Sequence, residues 1–132
     1  MFLEKFRLDG NTAFITGGGR GVGLSTAEAL AEAGAKVIIS GMSADILEER
    51  SEAMQSKGFD VQSMQLDVTD STAVAEAARE SNSRHGGVDI LVANAGIAQP
   101  NTTAAQMVKP HPKFVFQYFD RRDGRRLCEV LT

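Results

Sequence analysis

The chain has 132 residues and a formal net charge of −3, so it is about one domain long and offers nucleic acid no overall attraction. Hydrophobic residues make up 42% and charged residues 23%, the balance of a soluble globular protein. No apolar run approaches the roughly 18 residues of a membrane span, and Cys128 is the only cysteine, which excludes an intrachain disulfide. We therefore predict a cytoplasmic protein that binds neither nucleic acid nor membrane.

The first predicted elements are a strand, a glycine loop and a helix. A β-prone run from Thr12 to Thr16 leads into a loop with glycine at positions 17, 18, 19, 21 and 23, and a helical pattern from Val22 to Ala33 follows. Glycine permits positive φ and close approach of the backbone to a ligand. Backbone N–H groups and the positive end of the helix dipole would then point at one place. The arrangement predicts a phosphate-binding loop.

The remaining elements continue this alternation of strand and helix. They are predicted at Lys36–Ser40 (strand), Ala44–Lys57 (helix), Val61–Gln65 (strand), Ser71–His85 (helix) and Ile90–Ala93 (strand). Alternating strands and helices favour a parallel sheet covered on both faces. We therefore predict an α/β fold, a three-layer Rossmann-like sheet of about four βα units.

Two sequence motifs reduce the number of functions that the chain could have. The G-x-G-x-x-G pattern fails, because its third glycine would fall on Val22, Leu24 or Thr26, and the P-loop pattern lacks its lysine, so an NTPase is a poor interpretation. The loop does fit T-G-x-x-x-G-x-G, from Thr16 to Gly23. A second phrase, V-D-I-L-V-A-N-A-G-I, covers positions 88–97.

In this order and at this separation, the two motifs resemble the short-chain dehydrogenase/reductase family. The likeness covers about Phe6 to Met107, so we divide the chain into a dinucleotide-binding region, 1–107, and an unmatched tail, 108–132. The resemblance implies a variant Rossmann fold that binds NAD(H) or NADP(H). It also implies hydride transfer between nicotinamide and an alcohol or ketone. The F-R-L-D-G and A-G-I-A-Q-P stretches look most like members that act on polyols and simple secondary alcohols.

The same resemblance assigns the cofactor contacts. The D-V-T-D phrase at 67–70 resembles a segment whose aspartate and next backbone amide bind adenine, although Asp67 or Asp70 can also cap the next helix. In relatives the N-A-G loop lies beside the cofactor, and Asn94 contacts the ribose region and ties neighbouring strands together. The predicted cofactor-binding residues are Gly17, Gly19, Arg20, Gly21, Val22, Gly23, Ser40, Ser43, Asp67, Val68, Asn94, Ala95 and Gly96.

The end of the second strand bears on the choice of cofactor. An acidic residue there would bind the ribose hydroxyls and favour NAD, but no carboxylate occurs before Asp45. The hydroxyls of Ser40 and Ser43 can donate to a 2′-phosphate, and Arg20 matches a position that is often basic in NADP-preferring relatives. Many of those relatives carry arginine where Met42 stands. NADP is the preferred prediction and NAD the alternative.

The catalytic residues of the family cannot be placed in this sequence. Relatives use a serine and a Tyr-x-x-x-Lys motif, whose tyrosine exchanges a proton with the substrate oxygen. Tyr118 is the only tyrosine, and Arg122 stands where the lysine would be. We predict neither a catalytic residue nor a metal site, and expect a small alcohol or ketone substrate only in a full-length relative.

From Val108 the sequence changes character. The aromatic run Phe114–Phe119, a charged turn and the stretch Leu127–Leu131 predict either a hairpin or an irregular extension. Three readings stay open: a truncated, inactive dehydrogenase, a non-catalytic nucleotide-binding or interaction module, and a frame-shifted remnant. Without a fifth strand, Ile90–Ala93 would be an exposed apolar edge. The aromatic run is expected to cover it within one chain or by exchange between two, so a homo-oligomer is one expectation.

Overall fold

The computed structural model describes residues 2–96 in full and, beyond them, the backbone of two strands, 115–119 and 126–130. A 3-10 turn, Phe2–Phe6, precedes the sheet. The strands of the main sheet are β1 (Thr12–Thr16), β2 (Lys36–Gly41), β3 (Val61–Gln65) and β4 (Ile90–Ala93). The helices are α1 (Gly21–Glu32), α2 (Ala44–Ser56) and α3 (Ser71–His85). The predicted Rossmann-like α/β fold is confirmed.

The main sheet has the order β3-β2-β1-β4, and all its strand pairs are parallel. Thr16, at the end of β1, lies in register between Ser40 of β2 and Ala93 of β4. The chain adds strands on one side of β1 and then crosses to the other, so β1 and β4 form a topological switch point. Open α/β sheets bind ligands in the crevice at such a point, beyond the carboxyl ends of the strands.

The core has two layers, one on each face of the sheet. One face joins β1 and β2 to small or flexible residues of α1 and α2, namely Ala27, Ala31, Leu47 and Met54. The other face joins Phe14 and Ile38 to Val74 and Ala77 of α3. This division follows from the alternation of side chains along a strand. None of the helices in the described part of the chain is long and apolar enough to cross a membrane.

The two edges of the main sheet differ in chemistry. β3 exposes Gln62 and Ser63, as an ordinary solvated edge does, whereas the apolar β4 is half-buried from Ile90 to Val92. Among the strands that the structure describes, β4 has no outer neighbour.

The tail strands, β5 (Val115–Phe119) and β6 (Arg126–Val130), pair antiparallel in a separate two-stranded sheet. This pairing agrees with the hairpin alternative, and the stretch that would join the two strands, 120–125, lies outside the described residues. The described strands show no pairing between β5 and β4, and the expectation that the aromatic run covers the β4 edge, within one chain or by exchange between two, stays a prediction.

Candidate functional site

A cleft of about 540 Å³ opens at the carboxyl ends of β1, β2 and β4. Three segments line it: the glycine loop after β1, the turn from β2 into α2, and the loop after β4. The lining residues are Gly17, Gly19, Arg20, Val22, Gly41, Met42, Ser43, Ile46, Leu47, Asn94, Ala95 and Gly96. The cleft therefore lies at the switch point of the sheet, where the strand order predicts a ligand.

Most of the predicted site residues meet in this cleft. The ones that line it are Gly17, Gly19, Arg20, Val22, Ser43, Asn94, Ala95 and Gly96. The ones that do not are Gly21, Gly23, Ser40, Asp67 and Val68. Sequence reasoning missed the contribution of Gly41, Met42, Ile46 and Leu47. Of these, Met42 had a signal in the sequence, because it stands where many NADP-preferring relatives carry arginine. Ile46 and Leu47 lie in the first turn of α2, after the predicted site residue Ser43.

The glycine loop owes its shape to contacts behind the cleft. Gly17 and Gly21 have positive φ, +66° and +53°. Gly23 is buried in the first turn of α1, where an added Cβ would overlap the carbonyl oxygen of Gly17 and lie 2.5 Å from Asn94 Nδ2. Gly21 and Gly23 therefore determine the path of the backbone without lining the cleft.

Gly18, which the sequence prediction left out, fixes the loop to β2. Its N–H donates to the carbonyl oxygen of Ser40 at 2.9 Å. An added Cβ would lie 2.9 Å from the Cβ and Cγ2 atoms of Ile39. The loop therefore rests directly on the sheet, which holds the cleft-facing residues on either side of Gly18 in place.

The helix N-termini at the cleft lack side-chain caps. Arg20 and Ser43 are the N-cap residues of α1 and α2, both have extended backbones, and neither side chain accepts a capping hydrogen bond. At α3, by contrast, Asp70 Oδ1 accepts from the backbone N–H groups of Thr72 and Ala73 at 2.9 and 3.1 Å. Uncapped first-turn N–H groups, together with the helix dipole, favour an anion. Two such helix ends, whose N-cap residues both line one cleft, suit a ligand with several negative groups.

Thr16 and Asn94 join the glycine loop to the loop after β4. The buried hydroxyl Oγ1 of Thr16 accepts the backbone N–H groups of Asn94 and Ala95, both at 3.0 Å. In return, Asn94 Nδ2 donates to the carbonyl oxygens of Thr16 and Gly17, both at 3.2 Å. The structure thus shows the strand tie expected of Asn94, and it adds Thr16 as the centre of that tie. The threonine of the T-G-x-x-x-G-x-G motif was the available signal.

Ser40 is placed away from the cleft. It is fully buried, and its Oγ donates to the carbonyl oxygen of Ile15 at 3.1 Å. Strand alternation places it on the same face as Ile38, whereas Leu47, which lines the cleft, packs on the face of Ile39. The geometry argues against the predicted role of the Ser40 hydroxyl as a phosphate donor, so we leave Ser40 out of the proposed site.

Asp67 and Val68 also lie outside the cleft lining. Asp67 Oδ1 accepts from both the backbone N–H and the hydroxyl of Thr69, at 2.9 and 2.6 Å. The hydroxyl bond first, and the N–H bond second, lower the pKa of Asp67. Of the two candidate caps, Asp70 is the one that caps α3, and Asp67 fixes the turn before it. The adenine contact expected of Asp67 and Val68 stays a prediction.

We expect Thr69→Val to raise the pKa of Asp67 towards its ordinary value, because the substitution removes the hydroxyl donor. A carboxyl with a lowered folded-state pKa stabilises the fold above its unfolded pKa of about 4 and loses that contribution as pH falls through the folded value. The stability difference between wild type and variant should therefore shrink below about pH 4. A carbon-detected NMR titration of the carboxyl group measures the pKa. Thr72→Val, on the exposed first turn of α3, should leave the pKa unchanged, and an equal shift there would contradict the assignment.

Comparison with known proteins identifies the class to which this fold and cleft belong. A profile of the family described as short chain dehydrogenase matches residues 11–116. Galactitol 2-dehydrogenase of Rhizobium johnstonii is 43% identical over 107 residues, which are 80% of this chain and 41% of the relative. The chain belongs to the short-chain dehydrogenase family. It spans about two-fifths of the length of the curated relative.

Solved structures show the same likeness. A gluconate 5-dehydrogenase from Burkholderia cenocepacia, in complex with NADP and tartrate, is 40% identical with a TM-score of 0.70, and the match covers 75% of this chain and 39% of that one. L-sorbose reductase from Gluconobacter frateurii, complexed with NADPH and L-sorbose, is 33% identical with a TM-score of 0.70, and the match covers 76% and 38%. Both likenesses support the Rossmann-like fold.

Proposed function

We propose that this chain binds a nicotinamide dinucleotide in the cleft and is the cofactor-binding part of an oxidoreductase that moves hydride between nicotinamide and an alcohol or ketone. The observation that supports this proposal most strongly is that two helices, α1 and α2, begin without side-chain caps at the switch point of the sheet. The cofactor supplies the hydride. The residues of this chain bind and orient it.

Each segment of the cleft has a task in this proposal. The N–H groups at the start of α1 hold the pyrophosphate, and the glycines let it approach the backbone. Asn94 and the two residues after it hold the ribose beside the nicotinamide. The side chains of Ile46 and Leu47, which line the cleft beyond Gly41, provide apolar surface for the adenosine end.

NADP(H) is the preferred cofactor in the proposal. Among the described lining residues, Arg20 is the only charged one, so nothing in that lining repels a 2′-phosphate. Ser43 adds a hydroxyl that its helix does not use for capping. The NADP and NADPH bound to the two solved relatives support the same preference.

We expect Arg20→Ala to weaken NADP⁺ binding by about tenfold or more, because an ion pair with a phosphate contributes at least about 1–2 kcal/mol in a partly enclosed site. NAD⁺ lacks the 2′-phosphate, so its affinity should change by less than about threefold. Calorimetric titration of both dinucleotides measures the ratio. The control variant is Arg79→Ala, which removes an exposed arginine from α3, away from the cleft, and should leave both affinities unchanged. Equal losses for NADP⁺ and NAD⁺ in Arg20→Ala would contradict a role in selecting the phosphate.

The proposed substrate is a polyol or a related sugar acid or ketose. The support comes from the relatives, whose names state galactitol, gluconate and sorbose as substrates. Among the described residues, the proposal places the substrate at the loop after β4, beside the nicotinamide end of the cleft. Turnover of galactitol with NADP⁺, followed at the absorbance of the reduced nicotinamide, tests this part of the proposal.

A second candidate is dinucleotide binding without turnover by these 132 residues. The sequence favours it, because its single tyrosine, Tyr118, is followed by Arg122 in place of the lysine of Tyr-x-x-x-Lys. Guanidinium stays protonated and has a different hydrogen-bonding geometry from ammonium. Saturable binding of NADP⁺ with no reduction in the presence of polyols would favour this candidate. Absence of binding to the folded chain would exclude both.

A further inference from the structure

The turn from β2 into α2 forms one wall of the cleft, and its backbone is held from the neighbouring strand. Gly41, Met42 and Ser43 line the cleft and connect the end of β2 to the N-cap of α2. At the near end, the N–H of Leu66 donates to the carbonyl oxygen of Gly41 at 2.8 Å. At the far end, the carbonyl oxygen of Ser43 accepts the N–H of Leu47 at 3.1 Å. Met42 lies between these two backbone bonds.

The carbonyl of Met42 is held by a side chain. Gln65, the last residue of β3 and the register partner of Gly41, donates from Nε2 to the Met42 carbonyl oxygen at 2.9 Å. Gln65 does not line the cleft. The negative end of the Met42 carbonyl is therefore engaged by a donor outside the lining, while the Met42 side chain, 67% exposed, stays at the wall.

We propose that Gln65 is a positioning residue that sets the preference of the cleft for NADP(H) over NAD(H), an inference that rests on the proposed function. Its amide holds the Met42 carbonyl oxygen away from the position of a 2′-phosphate and fixes Ser43 at the start of α2. Once released, that carbonyl is free to turn towards the cleft, where its oxygen repels a phosphate but accepts a hydrogen bond from a ribose hydroxyl. Loss of the Gln65 bond thus costs the phosphorylated cofactor more than the unphosphorylated one.

The experiment compares Gln65→Met with wild type. Methionine has the length of glutamine but no N–H donor. We expect NADP⁺ to bind about 3- to 10-fold more weakly to the variant, which is the size expected for the loss of one exposed hydrogen bond. The affinity for NAD⁺ should change by less than about twofold. Calorimetric titration of the full chain with each dinucleotide gives the ratio of the two affinities, which a purely structural role would not move.

Two further variants control the result. Gln62→Met makes the same change on the same strand, at an exposed residue whose side chain has no hydrogen bond within the described part of the chain. Gln65→Thr is too short to reach Met42 and suits a strand, so it provides a second, well-tolerated test. Circular dichroism confirms that each variant is folded.

The possible outcomes distinguish failure of the role proposed for Gln65 from failure of the proposed dinucleotide binding. A fall in the NADP⁺/NAD⁺ affinity ratio in both Gln65 variants, but not in Gln62→Met, supports the assignment. An unchanged ratio in either folded Gln65 variant, or an equal fall in Gln62→Met, overturns it and leaves the proposed function intact. Failure of both Gln65 variants to fold assigns Gln65 to stability and also overturns it. Wild-type chain that binds neither dinucleotide overturns the proposed function itself.

Discussion

Gly23→Ala is expected to lower the free energy of unfolding by about 1–3 kcal/mol and to weaken dinucleotide binding by about tenfold or more. The added Cβ would overlap the carbonyl oxygen of Gly17 and press on Asn94 Nδ2, so α1 must move away from the loop. That movement displaces the N–H groups that are proposed to hold the pyrophosphate. Chemical denaturation and calorimetric titration measure the two effects.

The direction of the stability change in Gly23→Ala distinguishes the close contact from helix propensity. Alanine is a better helix former than glycine by about 1 kcal/mol, so without the contact the substitution would stabilise α1. Ser25→Ala, on the exposed face of the same helix, makes a comparable small change with no overlap and should leave stability within about 0.5 kcal/mol of wild type. A Gly23→Ala variant that is more stable than wild type and binds equally well would show that the close approach is not required.

Thr16→Val is expected to destabilise the fold by about 1–3 kcal/mol, although valine matches threonine in shape and favours strands. The substitution leaves the backbone N–H groups of Asn94 and Ala95 without the acceptor that the hydroxyl provides. The loop after β4 should loosen, and dinucleotide affinity should fall with it. Hydrogen exchange at those two amides reports the loosening directly.

Thr12→Val is the matched control for Thr16. Thr12 is 2% exposed at the other end of β1, and its hydroxyl makes no side-chain hydrogen bond within the described part of the chain. Its backbone N–H bond to Asp89 survives the substitution. Destabilisation of equal size at Thr12 would mean that burial of valine in β1, and not the loss of the acceptor, causes the effect. Thr16→Ser, which keeps the oxygen, should retain most of the stability.

Local sequence patterns were sufficient to predict the strands of the main sheet and the helices that cover it. β1, β3, β4 and α3 begin and end at the predicted residues, and for α3 the N-cap Asp70 and the C-cap Gly86 mark both ends. Both ends of α1, the C-terminal end of α2 and the end of β2 differ from the prediction by one residue, which is the usual uncertainty at the end of an element. For the tail, the strands at 115–119 and 126–130 match a hairpin, one of the two alternatives, and the turn signal at 120–125 lies outside the described residues.

The site was harder to predict than the fold, because it depends on which groups meet across the sheet. Ser40 carries a hydroxyl at the end of a strand, but in a strand buried on both faces the sequence does not reveal which face it occupies. The roles of Gly18 and Gly23 depend on a neighbouring isoleucine and a carbonyl oxygen that only tertiary packing supplies. Asp67 and Asp70 were both suitable caps by sequence, and the direction of the turn before α3 decided between them.

β1 and the segment before β4 hold each other through a reciprocal pair of hydrogen bonds. The Thr12 N–H donates to Asp89 Oδ2, and the Asp89 N–H donates to the Thr12 carbonyl oxygen, both at 2.8 Å. The two residues are 77 positions apart in sequence, and the Thr16–Asn94 contacts at the other end of the strands close a loop of similar length. Closing such long loops is costly in chain entropy, so we expect these contacts to form late in folding. The cleft is complete only when β4 is in place, because Asn94, Ala95 and Gly96 line it. A ligand that binds only the complete cleft is therefore expected to stabilise the attachment of β4 by mass action.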